Sequence, residues 1–349
     1  MPIIDISQVT DEIVEILGFG FLGFVIAMLI TPIYTTIAYK RKWWKRMRTE
    51  TITGEKAEVL NRLHQKKHRR HIPTMAGLVM VIAIAIVTLV FNLSREQTYL
   101  PLAALAGAAF VGLIDDVINL KGLKRGIQGL RASFKFWLIF LVATLGALYF
   151  YFKLGYTDIH IPFLAGGEYS LSLGFMLIPL FILVILSTAN SVNMADGLDG
   201  LAGGLLVNAF TTYAVIAFLQ GNYGISGFCM TIVGVLLAYI WFNIYPARFM
   251  MGDVGSFALG TALGVVAMLT NTIILLPIIG FVFVVEAGSA VIQLKYKKLF
   301  KKKLFISTPI HHHFEASGWP ETKITMRFWV ISQVMGVVGL LLAILGGSI

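Results

Sequence analysis

Long apolar stretches dominate this chain, and short charged segments separate them. Cutting the sequence at its charged residues leaves uncharged runs at 16–39, 71–94, 97–114, 136–152, 169–195, 200–247, 254–285 and 328–349. A helix needs about 20 apolar residues to cross the hydrocarbon core of a bilayer. Each run is therefore long enough for at least one membrane span.

Two regions hold two spans each. The run 200–247 is too long for one crossing, and Gln220-Gly221-Asn222 is the turn-like place where it can fold back. The region 254–294 contains one charged residue, Glu286, and we expect a bend in it near Asn271. The pattern thus predicts ten spans and an all-α, polytopic integral membrane protein. Because no internal repeat or linker divides the sequence, residues 1–349 form a single predicted domain.

Composition narrows the class of protein further. Hydrophobic residues make up 57% of the chain, charged residues only 13%, and the mean hydropathy is +0.82, which excludes a water-soluble domain of this length. Residues 1–15 carry acids where a cleaved signal peptide would carry bases, so no such peptide is expected. Cys229 is the only cysteine, which excludes an intrachain disulfide and a cysteine-based zinc site.

The basic residues predict the orientation in the membrane. All of the 28 Lys and Arg residues except Arg95 and Lys153 fall on loops that follow odd-numbered spans, or on the adjoining helix ends. Lys and Arg favour the cytoplasmic side, so we expect both termini outside and five loops in the cytoplasm. The basic segments also suit contact with anionic lipid, and Trp43 and Trp44 suit anchoring at the membrane interface.

The same count places the unusual polar residues on the cytoplasmic side. This group consists of Asp115, Asp116, Asn193, Asp196, Asp199, Asn243, Asp253, His311, His312 and His313. The acids predicted on the outer side are instead scattered singly along the chain. Aspartates and histidines from four separate loops are thus expected to converge at one face of the membrane.

Asp115 and Asp116 are adjacent on a predicted helix, where neighbouring side chains point about 100° apart. One metal ion rarely binds both, so we expect one carboxylate to bind and the other to orient a partner or accept a proton. An ordinary solvated helix end is the alternative, although the helix dipole disfavours an acid at a helix C-terminus.

Two glycine-containing segments carry the other aspartates. The segment NSVNMADGLDGLAGG, Asn190 to Gly204, lacks the ligand pattern of a calcium loop; it either approaches a ligand closely or is only a flexible turn. The segment ARFMMGDVGS places Asp253 at the start of span 8, where helix amides suit a phosphate and the carboxylate suits its metal ion. A simple helix N-cap is the other interpretation of Asp253.

Three further features have competing interpretations. The consecutive histidines in PIHHHFEASGWP diverge, which disfavours a zinc site and favours phosphate contact or proton handling by one of them. Glu286, inside span 9, is either functional or paired with a polar neighbour in the bundle. The GxGxxG-like segment from Gly18 to Gly23 opens a membrane helix and follows no strand, so it indicates close helix packing and not nucleotide binding.

Acids at the lipid boundary, flanked by basic loops, suit a phosphorylated substrate that has one end in the bilayer. Aspartate ligands favour magnesium over softer metals. Catalysis of phosphoryl transfer consists mainly of positioning and charge neutralisation, which such residues supply. The residues alone therefore favour a Mg²⁺-dependent phosphoryl transferase.

The motifs also carry a family resemblance. The phrases PTMAG (Pro73 to Gly77), DDVIN, NSVNMADGLDGLAGG, MGDVGS and PIHHHFEASGWPE resemble, in this order, those of the bacterial phospho-N-acetylmuramoyl-pentapeptide transferases. The histidine segment separates this family from its relatives. The resemblance implies ten spans in the bacterial inner membrane and a cytoplasmic active site. It also implies Mg²⁺-dependent transfer of phospho-N-acetylmuramoyl-pentapeptide from its UDP carrier to undecaprenyl phosphate, giving lipid I and UMP.

The resemblance further implies residue roles. Asp253 is the expected Mg²⁺ ligand and a catalytic residue, Asp115 and Asp116 are the catalytic acids near the lipid phosphate, and His312 assists at the pyrophosphate. The expected substrate-binding residues are Arg69, Thr74, Lys135, Asn193, Asp196, Asp199, Asn243, Gly252, His311 and His313. Besides UDP-N-acetylmuramoyl-pentapeptide and undecaprenyl phosphate, membrane lipid is an expected partner. A homodimer is left open, and no nucleic acid partner is expected.

Some positions depart from the family pattern. Met250 stands where the family often has an aromatic residue, Ala76 replaces a glycine, and Arg69 occupies the usual lysine position. One expected histidine has three candidate equivalents, His64, His68 and His71.

Two alternative functions share features with this pattern. A polyprenyl-phosphate N-acetylglucosamine-1-phosphate transferase would use the same magnesium chemistry, but the triple histidine argues against it. A cation-coupled transporter would place its site near the bilayer midplane, often within internal repeats, neither of which the pattern predicts.

Overall fold

The protein is a bundle of helices. The computed structural model describes residues 6–44, 71–94, 96–121, 129–163 and 170–349. The α-helices in these ranges are α1 (Ile6–Lys40), α2 (Gly77–Phe91), α3 (Tyr99–Lys121), α4 (Ala132–Leu148), α5 (Leu177–Ala195), α6 (Leu201–Leu219), α7 (Tyr223–Asn243), α8 (Gly252–Leu269), α9 (Leu276–Ile279), α10 (Phe281–Phe300), α11 (Ile310–Ala316) and α12 (Glu321–Leu345). Two short strands in the same ranges, β1 (Asp158–His160) and β2 (Ser170–Ser172), pair antiparallel between α4 and α5.

Eight helical segments in the described part of the chain are long and apolar enough to cross a membrane. A further span is formed by Ile273–Ile279 and Phe281–Phe300, which meet at an angle of 83°. α2 is apolar but has only 15 residues. These ten segments fall on the ten predicted spans one for one, which confirms the all-α, polytopic membrane fold. The number of complete crossings and the side on which the termini lie stay predictions.

Both predicted interruptions of the long apolar regions are confirmed. α6 ends at Leu219 and α7 begins at Tyr223, so the residues between them form the expected turn. Asn271 lies just after α8 and has a positive φ of 51°. This conformation, which asparagine tolerates better than most residues, ends the helix where the bend was expected.

α8 lies at the centre of the bundle. Every residue from Gly252 to Leu269 is buried, and the helix packs against α3 and α5. Lipid tails are as apolar as side chains, so close packing contributes more than hydrophobic burial to holding membrane helices together. At Gly112 of α3, for example, a Cβ atom would overlap the backbone of Asp253. The first turn of α8 therefore lies directly against α3.

The GxGxxG-like segment of α1 has the packing role expected for it. α1 packs against α7, and a Cβ atom at Gly234 of α7 would overlap the backbone carbonyl of Gly20. A Cβ atom at Gly23 would lie 2.7 Å from the backbone oxygen of Thr231. These glycines allow two helix backbones to approach each other closely, as the sequence predicted.

The polar residues predicted to converge lie at one end of the bundle. Asp115 and Asp116 are near the end of α3, Asn193 is near the end of α5, Asn243 is the last residue of α7, and Asp253 lies in the first turn of α8. The direct contacts among their side chains and loops confirm the predicted convergence.

Candidate functional site

An ion-pair network joins three helices at this end of the bundle. The ammonium Nζ of Lys135, in the first turn of α4, lies 2.9 Å from Asp115 Oδ2 and 2.8 Å from Asp253 Oδ2. Asp115 Oδ1 also accepts a 2.6 Å hydrogen bond from the backbone N–H of Leu130. Both carboxylates are buried, so little water screens their attraction to the lysine. The network therefore fixes α3, α4 and α8 relative to one another.

Asp116 has a different partner from Asp115. Its Oδ2 accepts a 3.1 Å hydrogen bond from the backbone N–H of Val254, in the first turn of α8. A helix N-terminus has unpaired N–H groups and favours negative charge, so the buried carboxylate is stabilised there. The amide that the sequence predicted to face a phosphate is thus occupied by Asp116. The different partners confirm that the two adjacent carboxylates diverge.

Gly252 is required for this close approach. Its φ of 72° lies in the left-handed region, which favours glycine. A Cβ atom there would lie 2.5 Å from Asp116 Oδ2 and 2.7 Å from Thr74 Oγ1. Gly252 thus brings α3, α8 and the segment before α2 together.

Asn193 contacts Asp253 from the other side. Its Nδ2 donates a 2.8 Å hydrogen bond to Ser256 Oγ and lies 3.3 Å from Asp253 Oδ1. Asp253 therefore contacts Lys135 through one oxygen and Asn193 through the other. Ser256 belongs to the MGDVGS motif, but the sequence alone does not indicate a role for it.

The PTMAG segment runs beside the chain that leads into α8. Met250 donates a backbone hydrogen bond of 2.9 Å to Pro73, and Ala76 donates one of 3.1 Å to Met250. The phenol of Tyr34 donates a 2.6 Å hydrogen bond to the backbone oxygen of Thr74. These contacts hold the backbone of Thr74 beside the chain that leads into α8.

Some first-loop residues lie outside the described ranges. These are Arg69, His64 and His68. His71 is described, and its ring packs against Trp44 with the two ring centroids 5.1 Å apart.

The loop between α5 and α6 is held to the segment that follows α7. Asp199 Oδ2 accepts a 3.0 Å hydrogen bond from the backbone N–H of Ala247. Asn243 accepts one of 2.9 Å from the N–H of Gly200 and donates one of 2.8 Å to the backbone oxygen of Phe249. The structure thus places Asp199 and Asn243 at the base of this loop, where they fix its backbone.

One face of α12 supports the same loop. Glu321 Oε1 accepts a 2.5 Å hydrogen bond from the backbone N–H of Asp199, and Thr325 Oγ1 donates one of 3.2 Å to the backbone oxygen of Asp199. Trp329 Nε1 donates one of 3.1 Å to the oxygen of Gly200. Residues four apart share a helix face, so one edge of α12 makes all three contacts. Sequence reasoning missed these roles, although the spacing of the three residues is visible in the sequence.

Each of the three histidines has its own partner for Nδ1. The pairs are His311 with Glu286 Oε2 at 2.7 Å, His312 with Glu315 Oε2 at 2.7 Å, and His313 with the backbone N–H of Ile306 at 3.2 Å. This arrangement confirms that consecutive histidines diverge. It also gives Glu286 the polar neighbour that was one of its two interpretations.

His311 connects α11, the helix that carries the three histidines, to the loop between α5 and α6. The ring contacts Gly197, where any side chain would collide with His311 Nε2. Gly197 follows Asp196, which is the C-cap residue of α5. A buried path of contacts therefore runs from Glu286 of α10 through His311 to the segment that carries Asp196 and Asp199.

The donor set fits a magnesium ion shared with a substrate. The buried carboxylates of Asp115 and Asp253 flank the ammonium group of Lys135, and the buried carboxylate of Asp116 lies against the first turn of α8. Within the residues that the structure describes, no group of three or more His, Cys, Asp or Glu side chains could hold a metal ion. Mg²⁺ is usually held by one or two carboxylates and completed by water and substrate phosphates, so the residues suit it.

Comparison with known proteins gives the class first. Residues 98–271 match the family described as Glycosyl transferase family 4. The matched region runs from α3 through α8 and so contains Asp115, Lys135, Asn193 and Asp253. The site geometry and this match together define a membrane-embedded transferase.

Individual relatives give the family. Phospho-N-acetylmuramoyl-pentapeptide-transferase of Chloroflexus aurantiacus is 38% identical over 339 residues, which cover 93% of this chain and 88% of the relative. The proteins of that name from a Geobacillus species and from Clostridium botulinum are 38% and 34% identical and are covered over 95% and 93% of their length. The chain therefore belongs to the phospho-N-acetylmuramoyl-pentapeptide transferase family, and it is an enzyme.

Proposed function

We propose that this enzyme transfers phospho-N-acetylmuramoyl-pentapeptide from its UDP carrier to undecaprenyl phosphate, which gives lipid I and UMP in peptidoglycan synthesis. The contact of Lys135 with Asp115 and Asp253 carries the proposal, because it gathers a cation and two carboxylates at the ends of membrane helices. A lipid phosphate can reach this position from the bilayer while a nucleotide approaches from water. Membership of the family supports this choice of donor.

The reaction proposed is a direct displacement. An oxygen of undecaprenyl phosphate attacks the sugar-linked phosphorus of the donor, a new phosphoanhydride bond forms, and the bond to the UMP phosphate breaks. A phosphate monoester has a second pKa of about 6, so at neutral pH the acceptor is mostly a dianion. It needs little help from a base, which makes a covalent phospho-enzyme unnecessary.

Lys135 and the three aspartates have different roles at the reacting phosphates. The ammonium group of Lys135 holds the lipid phosphate, and Asp115, 2.9 Å from it, orients the lysine and takes up any remaining proton. Asp116 keeps the first turn of α8 in place through Val254. Asp253, with Asp115 beside it, would hold Mg²⁺, which supplies charge neutralisation at the donor diphosphate.

The surrounding loops position the donor. Asn193 and Asp196 face the nucleoside and its phosphates, and His312 assists at the pyrophosphate. The contacts of Asp199 and Asn243 with loop backbone support a role in fixing that loop, so we assign them as positioning residues.

Measurement of UMP release tests the reaction. Purified protein in detergent is given Mg²⁺, undecaprenyl phosphate and either UDP-N-acetylmuramoyl-pentapeptide or UDP-N-acetylglucosamine. We expect release with the first donor only, and loss of it when EDTA replaces Mg²⁺. Release with the second donor alone would move the assignment to the N-acetylglucosamine-1-phosphate transferases, and release with neither would support a transporter.

We also propose that the enzyme lies in the bacterial inner membrane with this site facing the cytoplasm. Single cysteines replace Asp158, at the β-hairpin end, and Lys302, beyond α10, in a Cys229→Ala background. A membrane-impermeant maleimide should label Asp158→Cys on spheroplasts, and Lys302→Cys only after permeabilisation. The reverse result would invert the orientation.

A further inference from the structure

Two cations lie over one aromatic ring at the start of α12. Lys323 Nζ is 4.6 Å and Arg327 Cζ is 4.7 Å from the centroid of the Trp319 ring. Trp319 is itself fixed by stacking on Phe314 of α11, with the centroids 4.9 Å apart. Stacking and cation–π contacts therefore hold both cations in place.

Neither cation has a carboxylate partner in the described part of the chain. The buried carboxylates of Asp115, Asp253 and Glu286 pair with Lys135 and His311, and Glu315 pairs with His312. The nearest acids along the chain are engaged elsewhere, since Glu315 bonds His312 and Glu321 bonds the backbone of Asp199. Lys323 also lies in the first turn of α12, where the helix dipole disfavours a cation. Both facts favour an external anion at this position.

The two cations continue into a lipid-facing stripe. Starting from Arg327, exposed side chains recur at helical spacing along α12: Val330 (65% exposed), Val334 (55%), Val337 (53%) and Leu341 (51%). Lys323 and Arg327 are also exposed and head the same face. Tryptophan and basic residues at the end of a membrane span are typical of the interface, where lipid headgroups lie. A ligand with an anionic head and apolar tails matches this surface along its whole length.

We propose that Trp319, Lys323 and Arg327 bind the headgroup phosphate of an anionic phospholipid, whose acyl chains lie along the exposed stripe of α12. The lipid belongs to the leaflet at the end of the bundle that carries Asp253. This site differs from that of the acceptor lipid, because α12 packs on α6, α9, α10 and α11, whereas Lys135 contacts α3 and α8. The opposite face of α12 supports the Asp199 loop, so the phospholipid binds behind the active site.

Native mass spectrometry of the full chain in detergent tests the proposal. The probes are phosphatidylglycerol and phosphatidylcholine with identical acyl chains. We expect phosphatidylglycerol to bind at least about tenfold more tightly to the wild-type protein. Each Lys or Arg near a membrane surface contributes about 1 kcal/mol, so Lys323→Gln/Arg327→Gln should weaken that binding about tenfold or more.

A matched control separates this site from general charge attraction. Lys298→Gln/Lys302→Gln removes two exposed cations from the end of α10 and the chain just after it. We expect it to change phosphatidylglycerol affinity by less than about twofold. An equal loss in the two double variants, or equal binding of the two lipids by the wild-type protein, would overturn the proposal.

Fluorescence locates the lipid independently of folding effects. Phosphatidylglycerol with brominated chains should quench wild-type tryptophan emission more than its phosphatidylcholine counterpart does, and Trp319→Phe should reduce that difference. An undiminished difference in Trp319→Phe would place the lipid elsewhere. Displacement of phosphatidylglycerol by equimolar undecaprenyl phosphate would assign the surface to the acceptor lipid. Neither measurement contains the UDP donor, so failure of the proposed reaction would not affect them.

Discussion

Two polar clusters lie at this end of the bundle, and their ion pairs are arranged differently. The first cluster consists of Asp115, Lys135 and Asp253, and the second consists of the pairs Glu286–His311 and Glu315–His312. In the first cluster, the single cation of Lys135 contacts the carboxylates of Asp115 and Asp253, which lie on different helices. In the second cluster, each carboxyl group contacts a single histidine. A shared cation makes the members of the first cluster depend on one another, whereas the histidine pairs form separate units.

The difference separates groups placed for chemistry from groups placed for support. Unequal numbers of buried charges are costly unless something else neutralises the excess. The first cluster has such an excess of carboxylates, so it suits a metal ion, which in turn can bind phosphates. Each histidine pair joins one carboxyl group to one imidazole by a hydrogen bond, and such pairs can position loops without a ligand.

The largest loss of activity is expected for Asp253→Asn. This change removes a charge that contacts Lys135 at 2.8 Å and that we assign to Mg²⁺. UMP release should fall below about 1% of the wild-type rate, because catalysis of phosphoryl transfer depends mainly on electrostatic stabilisation. Asp158→Asn, at the opposite end of the bundle, is the control and should retain full activity. Near-normal turnover in a folded Asp253→Asn protein would remove Asp253 from the metal site.

Lys135→Gln should have the next largest effect, and it tests whether the shared cation also binds the lipid. The loss of charged contacts to the lipid phosphate should lower kcat/KM for undecaprenyl phosphate about 100-fold, equivalent to about 3 kcal/mol. The KM for the UDP donor should change little. Steady-state kinetics with each substrate varied in turn measure both effects.

The control for this experiment is Lys121→Gln, an exposed lysine at the end of α3. It should leave both substrates' parameters unchanged. If Lys135→Gln instead raised the KM of the UDP donor alone, the result would show that the lysine binds the nucleotide and not the lipid phosphate.

A pair of substitutions compares the two histidine units directly. Glu286 and His311 are both fully buried, whereas the pair of Glu315 and His312 is partly accessible. Removing one partner of a buried pair costs more than removing one of an exposed pair. Glu286→Gln should therefore lower UMP release about tenfold and reduce the thermal stability of the protein. Glu315→Gln should lower release less than about threefold. Equal losses in the two variants would show that burial does not decide the strength of these pairs.

The sequence was sufficient to place the helices and the residues of the first cluster. Charged residues interrupt the apolar runs clearly, and the alternation of loops puts Asp115, Asn193 and Asp253 at the same end whatever the rotation of each helix. Their position at one end of the bundle depends on chain direction alone, and chain direction follows from the number of crossings. The turn at Gln220 could be predicted equally well, because the run 200–247 is too long for a single membrane helix.

Contacts that depend on helix rotation could not be predicted in the same way. α12 faces lipid on one side and protein on the other, and apolar residues suit both, so its sequence does not show which face is buried. The contacts of Thr325 and Trp329 with loop backbone therefore went unrecognised. The partner of Glu286 was equally hidden, because several polar groups could have met an acid at that depth. The contacts of Asn243 could not be predicted for a third reason. Its partners are backbone atoms, which every residue has, so no residue type in the sequence indicates them.

A smaller effect than that of Glu286→Gln is expected in the loop between α5 and α6. Thr325→Val keeps the size of the side chain and removes the hydroxyl that donates to the backbone oxygen of Asp199 at 3.2 Å. One such hydrogen bond contributes about 1 kcal/mol, so the KM of the UDP donor should rise about fivefold while kcat stays nearly constant. Thr36→Val on α1, where the hydroxyl bonds only within its own helix in the described contacts, is the matched control and should leave the KM unchanged. If Thr325→Val lowered kcat and left the KM of the donor unchanged, the support from α12 would act on the reacting groups themselves and the division between the two clusters would no longer hold.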